Sequence, residues 1–263
     1  MKITLLDNNE YRKDALLEKM KDDDFYYGEL NELALSSSAI KLLYESPKKY
    51  HYVSKYGAES QGMRDGWLLH CLLLESDKFE KQIFVDVQSK NTKAYRQAVA
   101  ENEGRVFTMK EKHDAERLAD AVFKNEQALQ MLTNCEFEVP AIGSIAGMPF
   151  RGKADVLCIN SVCDIKTCAD IKAFPFQAKK FGYDIQVYIY SRLFKQDWWN
   201  FRFLVIDKGT LDIGIYDVSE EFYLSGEEKT RKGIEVYKTY FIQNEIDVND
   251  YIIKGTLRDK MNL

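Results

Sequence analysis

The sharpest alternation of apolar and polar positions runs from Glu136 to Lys166. Glu136 to Ile145 reads as one strand, and Ala146-Gly147 as a turn. From Phe150 the chain continues F-R-G-K-A-D-V-L-C-I-N-S-V-C-D-I-K-T, two further strands with a turn at Asn160-Ser161. Residues two apart in a strand share a face. Arg151, Lys153 and Asp155 therefore point one way, as do Val162, Asp164 and Lys166, with apolar Ala154, Val156, Cys158 and Ile165 opposite. The expectation is a half-buried sheet with a solvated polar face. A hairpin here brings Asp155 beside Asp164, since cross-strand neighbours come within about 5 Å.

Upstream the period lengthens to that of helices. In L-S-S-S-A-I-K-L-L-Y-E-S-P-K-K-Y-H-Y, Ser36 or Ser37 is an N-cap, and Ile40, Leu43 and Tyr44 form an apolar stripe. Pro47 ends that helix or starts the next. G-M-R-D-G-W-L-L-H-C-L-L-L-E is a strongly apolar helix with His70 in its middle and Gly66 one turn earlier on the same face. Residues 80–87 read as a strand, a helix ends at Gly104, and Lys110 to Leu132 is one long helix with Leu118, Val122, Ala128, Leu129 and Leu132 inward. After Lys166, Pro175 sits near a helix start, and Gln186 and Tyr190 share a helical face. Asn200 to Ile206 and Leu211 to Val218 form a strand pair, and Ser219 caps a helix reaching about Gln243. Residues 1–34, which include K-D-D-D-F-Y-Y, read as a short strand and a loose arm. Helices, three strands, helix, two strands and helix make an α/β chain with a mixed central sheet flanked by helices.

Composition narrows the classes. The chain has 263 residues, 45% hydrophobic and 13% aromatic, enough to bury a sizeable core. Residues 35–263 read as a single domain behind the arm, since no repeat or linker divides them. No apolar run reaches the length of about 18 residues that a membrane span needs, and no stretch reads as a signal peptide. Five cysteines without a C-x-x-C pair, among them Cys71, Cys158, Cys163 and Cys168 in or beside apolar runs, read as reduced, buried thiols of a cytosolic protein. The net charge of −5 excludes a generally basic coat for nucleic acid but leaves room for a local basic groove.

The candidate chemistry lies on the hairpin. Carboxylates as close as Asp155 and Asp164 repel unless a cation lies between them. Oxygen ligands favour Mg²⁺, with Mn²⁺ as its substitute. Lys166 can orient a water there or stabilise developing negative charge. Glu138 on the neighbouring strand is a further carboxylate, with Glu136 as the competing choice. Ser36 and Ser37 at a helix N-terminus suit a phosphate. Lys48 and Lys49 form a basic, aromatic cluster with their neighbours, and Lys180 adds positive charge beside the Gln186 helix. For each of these the bland alternative is ordinary: a surface ion pair for D-x-K, a satisfied core histidine for His70, plain capping for the serines.

Taken in order, these motifs resemble those of PD-(D/E)XK nucleases, specifically the RecE-type (exonuclease VIII-like) phage and prophage exonucleases of the RecB-like group. L-S-S-S-A-I-K-L-L-Y-E-S-P-K-K-Y is similar to that family's L-S-x-S-x-L-K-x-L-x-x-S-P-x-x-Y. G-W-L-L-H resembles its G-x-x-x-H helix, R-G-K-A-D-V-L with D-I-K-T its D…D-x-K core, and G-Y-D-I-Q-V-Y-I-Y its Y-x-x-Q-x-x-x-Y. The resemblance runs from Leu35 to the final helix and implies a restriction-endonuclease-like core. It implies that Asp155, Asp164, the carbonyl of Ile165 and His70 hold the metal, with Glu138 as upstream acid. It implies that Lys166 orients or activates the attacking water, and that Gln186 and Tyr190 hold the site and the DNA backbone near it. Arg151 and Lys153 stand where the family often has K-x-R, in reversed order, and remain cations suited to phosphate.

The implied activity is metal-dependent hydrolysis of linear double-stranded DNA from its ends, 5′→3′, leaving 3′ single strands. The implied setting is the bacterial host cytoplasm, with a ring-shaped homo-oligomer (trimer or tetramer) and a single-strand annealing recombinase as partner. Two rivals remain: a structure-specific endonuclease on the same core, and a DNA-binding module whose nuclease site has decayed.

Overall fold

In the computed structural model, which describes residues 1–102, 105–243 and 246–255, the chain begins with β1 (Lys2–Thr4), β2 (Glu10–Arg12), α1 (Lys13–Lys19), α2 (Asp23–Tyr27) and α3 (Glu29–Leu33). Next come α4 (Ser37–Glu45), α5 (Pro47–Tyr56), α6 (Gln61–Leu74), α7 (Ser76–Glu80), β3 (Ile83–Val85), α8 (Lys93–Glu101) and β4 (Val106–Thr108). The chain continues through α9 (Met109–Lys124), α10 (Glu126–Met131), β5 (Glu136–Ile145), β6 (Met148–Cys158) and β7 (Ser161–Cys168). It closes with α11 (Phe174–Gln177), α12 (Tyr183–Phe194), β8 (Phe201–Asp207), β9 (Ile213–Asp217) and α13 (Glu220–Tyr237), the last prolonged by a π-helical turn over Lys238–Ile242. No helix among the described residues is long and apolar enough to cross a membrane.

The central sheet has the order β5-β6-β7-β8-β9. Only the β7–β8 pair is parallel, because a crossover through α11 and α12 separates those strands. β8 shows how the sheet is covered. Phe201, Phe203 and Val205 enter one core with Ile40 and Leu43 of α4, Ile185 and Ile189 of α12 and Ile234 of α13. Leu204 and Ile206 enter another with Leu69 of α6 and Leu118 and Val122 of α9. This is the expected α/β class, but the expected solvated sheet face is absent. Helices cover both faces, and Arg151, Lys153 and Asp155 are buried at 4%, 8% and 8% exposure.

The position of the site follows from where the β6–β7 ladder stops. It runs from Cys158↔Ser161 to Val156↔Cys163 and ends there. Beyond that point the Asp155 carboxylate accepts the Ile165 N–H at 2.7 Å, replacing the next backbone partner. The edge of β6 that β7 leaves free is used further on by Leu35. Leu35 donates to Pro149 O at 3.0 Å and accepts from Arg151 N at 2.8 Å. That bridge places the N-terminus of α4, capped by Ser36 Oγ on Ala39 N–H, next to the gap.

Several local expectations shift. The hairpin turn is Ile159-Asn160, one residue earlier than expected, because Ser161 already pairs with Cys158. The long helix breaks at Asn125, whose side chain accepts Ala128 N–H and restarts the chain as α10. The restart turns Leu129 outward, to 42% exposure, while Ala128 stays buried. Of residues 80–87, Glu80 ends α7 and only Ile83–Val85 form a strand, β3, which pairs in parallel with β4 away from the main sheet. The helix expected to end at Gly104 stops at Glu101, and Gly104 lies outside the described residues. Cys135 and Cys158 are not free thiols: they face each other across the start of β5 and the end of β6, Cα atoms 4.4 Å apart, and form a disulfide. The register Glu136↔Leu157 extends directly to this pair. Cys71, Cys163 and Cys168 are free and buried. Residues 1–34 carry ordered elements instead of a loose arm, with Leu5, Leu16, Met20, Tyr26 and Leu30 packed on Ile142 of β5.

Candidate active site

The gap between β6 and β7 opens into a cavity of about 410 Å³. It is lined by Asp155, Asp164 and Lys166, by His70 of α6, Glu138 of β5 and Gln186 of α12, and by Ser36, Ser37 and Ser38. Metal-binding atoms of His70, Glu138 and Asp155 all lie within 4.8 Å of one another. His70 Nε2 is 2.9 Å from the Ile165 carbonyl oxygen. A carbonyl only accepts, so Nε2 carries the proton, and Nδ1 faces Asp155 Oδ2 at 3.6 Å. His70 is thus turned toward the carboxylates. Leu68, Leu69, Cys71 and Leu73 carry the apolar packing of α6.

Glu138 reaches the site through an irregular backbone. Its φ is +50°, a left-handed conformation that a residue with a Cβ rarely adopts. The β5–β6 register passes from Phe137↔Val156 to Val139↔Ala154 with no pair between, so Glu138 is rotated out of the ladder. Such positions cost of order 1–3 kcal/mol and persist where surrounding structure enforces them. Glu138 lines the cavity, while Glu136 is exposed at the strand's start.

Asp164 is almost completely buried. Gln186 Nε2 donates to its Oδ1, and the Lys166 ammonium is ion-paired with its Oδ2. Burial, then the neighbouring Asp155 charge, pushes the Asp164 carboxyl up to about 6. The same two causes push Glu138 up to about 7. Burial pulls the Lys166 ammonium down, but the carboxylates of Asp164 and Asp155 outweigh it and hold it above its ordinary value. The site is therefore carboxylates crowded out of water, next to an imidazole and a backbone carbonyl. Such a donor set fits a divalent cation.

Tyr190 stands one turn after Gln186. Its hydroxyl donates to Lys153 O at 2.9 Å, and its ring lies where a Cβ on Gly152 would come within 2.9 Å. It clamps α12 onto β6 from within the core. Arg151 and Lys153 line the cavity, but both are already engaged by the N-terminal segment. Arg151 donates to Asn31 Oδ1 at 2.6 Å and lies over the Tyr26 ring, and Lys153 Nζ pairs with Asp23 Oδ1 at 2.8 Å. Lys48, Lys49 and Lys180 are exposed and do not line the cavity; α5 presents Tyr50, Val53 and Ser54 to it instead.

Sequence reasoning missed Asp23, Tyr26, Tyr27, Asn31, Trp67 and Lys78 at this cavity. The run K-D-D-D-F-Y-Y carried the only signal for the first three, as acids and aromatics with no local partner. Lys78 on α7 also pairs with Asp23, so this one carboxylate holds cations from two elements.

Residues 36–246 match a family model described as a PDDEXK-like domain of unknown function (DUF3799). An exonuclease candidate from Eubacterium rectale has a similar solved structure, with a TM-score of 0.65 at 14% identity over 90% of this chain and 96% of that one, a likeness of fold. A phage-related exonuclease from Haemophilus somnus 129PT aligns over 80% of this chain and 95% of its own at 16% identity, with a TM-score of 0.35, too low to support an argument. No curated protein matches the sequence.

Proposed function

The chain belongs to the family of PDDEXK-like domains DUF3799, and from that premise we propose that it is a divalent-metal-dependent nuclease that hydrolyses DNA phosphodiester bonds. The observation that carries the reading is the meeting of His70, Glu138 and Asp155 within 4.8 Å beside the buried Asp164–Lys166 pair. These groups come from four elements, and a surface ion pair would require neither the burial nor the left-handed Glu138. The motif resemblance supports the finer reading: a RecE-type exonuclease that consumes linear duplex from its ends.

His70, Glu138, Asp155, Asp164 and the Ile165 carbonyl are the groups that would hold the cation. When bound, it supplies Lewis acidity to a phosphoryl oxygen and lowers the pKa of a water. Lys166 stays protonated at neutral pH under its carboxylates, so it acts as a donor and positive charge, orienting the attacking water and stabilising the phosphorane-like charge. Gln186 fixes the rotamer of Asp164, and Tyr190 fixes the strand that carries Asp155. Ser36 to Ser38, at the exposed start of α4, suit a flanking phosphate.

The test uses purified protein with linear and relaxed closed-circular duplex in Mg²⁺, Mn²⁺ or EDTA. Linear DNA is expected to disappear with either metal while circles survive. Asp164→Asn and Lys166→Ala are each expected to lose about a hundred-fold or more in rate. Either variant cutting at the wild-type rate, or a wild type inert with both metals, would sink the proposal; equal loss of circles would remove only the end-directed part.

A further inference from the structure

The segment between β7 and α12 carries a surface that the catalytic cluster does not use. Hydrogen bonds from Ala178 N to Phe174 O and from Phe181 N to Gln177 O continue the helical path of α11 to Phe181. Along that path Phe174 and Ala178 are buried, four residues apart. The opposite spacing brings Lys172, Phe176, Lys179 and Lys180 onto one outward stripe. Phe176 is 85% exposed, and the three lysines are exposed with it. From Ile171 to Tyr183 the chain has those lysines and no acid, although acids outnumber bases over the whole protein. The acid just before, Asp170, accepts the Lys172 N–H.

The helical path that carries the stripe ends at Phe181, one ring away from Lys166. Lys166 Nζ lies 5.0 Å over the Tyr183 ring, the Tyr183 and Phe181 rings are 5.8 Å apart, and Lys41 of α4 lies 5.8 Å over Phe181. From Lys166 outward, two rings and then a second cation follow one another. We propose that this stripe binds single-stranded nucleic acid beside the site, with Phe176 stacking on an unpaired base and Lys172, Lys179 and Lys180 on the flanking phosphates. Exposed rings interleaved with cations are what a single strand needs, since every base has a face to stack and every step a phosphate. A second copy of the chain fits this face poorly, because like charges would meet. The inference rests on the nuclease reading only for the kind of polymer that reaches Lys166.

Anisotropy of a labelled oligothymidylate, measured in EDTA so that no cleavage occurs, tests it. Phe176→Ala is expected to weaken binding roughly five- to a hundred-fold, and Phe176→Trp to keep it. Lys179→Gln with Lys180→Gln is expected to flatten the dependence of log affinity on log salt by about 1.4. Blunt duplex, whose bases are paired, is expected to bind Phe176→Ala as it binds wild type. An unchanged single-strand affinity in Phe176→Ala overturns the proposal, as does an equal loss on duplex. So does an oligomer that dissociates in Phe176→Ala without loss of strand binding, which would assign the face to a second copy. Cleavage in Mn²⁺ at saturating substrate, run in parallel, keeps the two readings apart. A wild type that cuts while Phe176→Ala binds normally loses the stripe alone, and one that neither binds nor cuts loses both.

Discussion

At the scale of single residues, the site is defined by charges that the fold holds away from water. Glu138 is the clearest case. Its carboxyl is pushed up to about 7 by burial and by Asp155, from 4.5 in the open chain. A group whose folded pKa is raised binds more protons folded than unfolded. Its contribution to stability is complete below about 4.5 and is lost as pH rises through about 7. Asp164, raised to about 6, acts in the same direction over a lower window. Metal-free protein is therefore expected to lose on the order of 2 kcal/mol between pH 5 and pH 8 through this cluster. Glu138→Gln should flatten that profile, and Mn²⁺ should restore the wild type at pH 8, since a ligand of the charged, folded site stabilises it. Urea melts in EDTA across that range check this; equal slopes in wild type and Glu138→Gln would mean that Glu138 is not crowded by Asp155. The sequence placed Glu138 and Glu136 as rivals because strand alternation treats them alike. The left-handed turn at Glu138 separates them, and no residue type there announces it.

At the scale of elements, two glycines show which contacts hold α12, the helix that carries Gln186. A Cβ at Gly226 of α13 would lie 1.9 Å from the Asp184 carbonyl oxygen of α12, a backbone atom that cannot step aside. A Cβ at Gly152 of β6 would meet the edge of the Tyr190 ring at 2.9 Å, where a side chain can shift slightly. Gly226→Ala is expected to cost about 3 kcal/mol or more, and Gly152→Ala about 1–3 kcal/mol. Only the second should yield a folded protein with reduced cleavage, because it moves the helix that carries Gln186 onto Asp164. Melting curves beside rates of duplex loss separate them, and a fully active Gly152→Ala would mean that Tyr190 does not position the site. The elements themselves were largely legible: β5, the hairpin, α12, β8, β9 and the capped helices at Ser36 and Ser219 follow period and caps. What escaped was the break at Asn125, where one cap overrides an otherwise continuous helical pattern, and β4, three residues long before its own helix. The covered second face of the sheet also escaped, since Arg151 and Lys153 look solvated until Tyr26 and Asp23 are set against them.

At the scale of the whole molecule, the first 35 residues lie outside the family match, yet they complete the cavity that the match contains. Asp23 and its partner Lys153 are separated by 130 positions, too far for any local pattern to pair them, and the same distance problem hid Asn31 from Arg151. Asp23 is held below the ordinary carboxylate range: burial raises it, but hydrogen bonds from Lys153 and Lys78 outweigh that. These are cavity cations that a DNA phosphate would also seek. Asp23 thus does two things of opposite sign. It compensates the nearly buried Lys153 ammonium, whose side chain is 7% exposed, and it competes with phosphate for that ammonium. Asp23→Asn removes the charge and keeps the shape. Stability is expected to fall, by about 1–3 kcal/mol, because a buried cation loses its counter-ion while the rings of Tyr26 and Tyr27 still hold it. Affinity for DNA in EDTA is expected to rise, with a steeper salt dependence as Lys153 and Lys78 become available to phosphate. A wall with no electrostatic role predicts lower stability and unchanged or weaker binding. Thermal melts and a salt series of binding isotherms on the same two proteins decide it: affinity that falls together with stability would leave Asp23 as scaffold only.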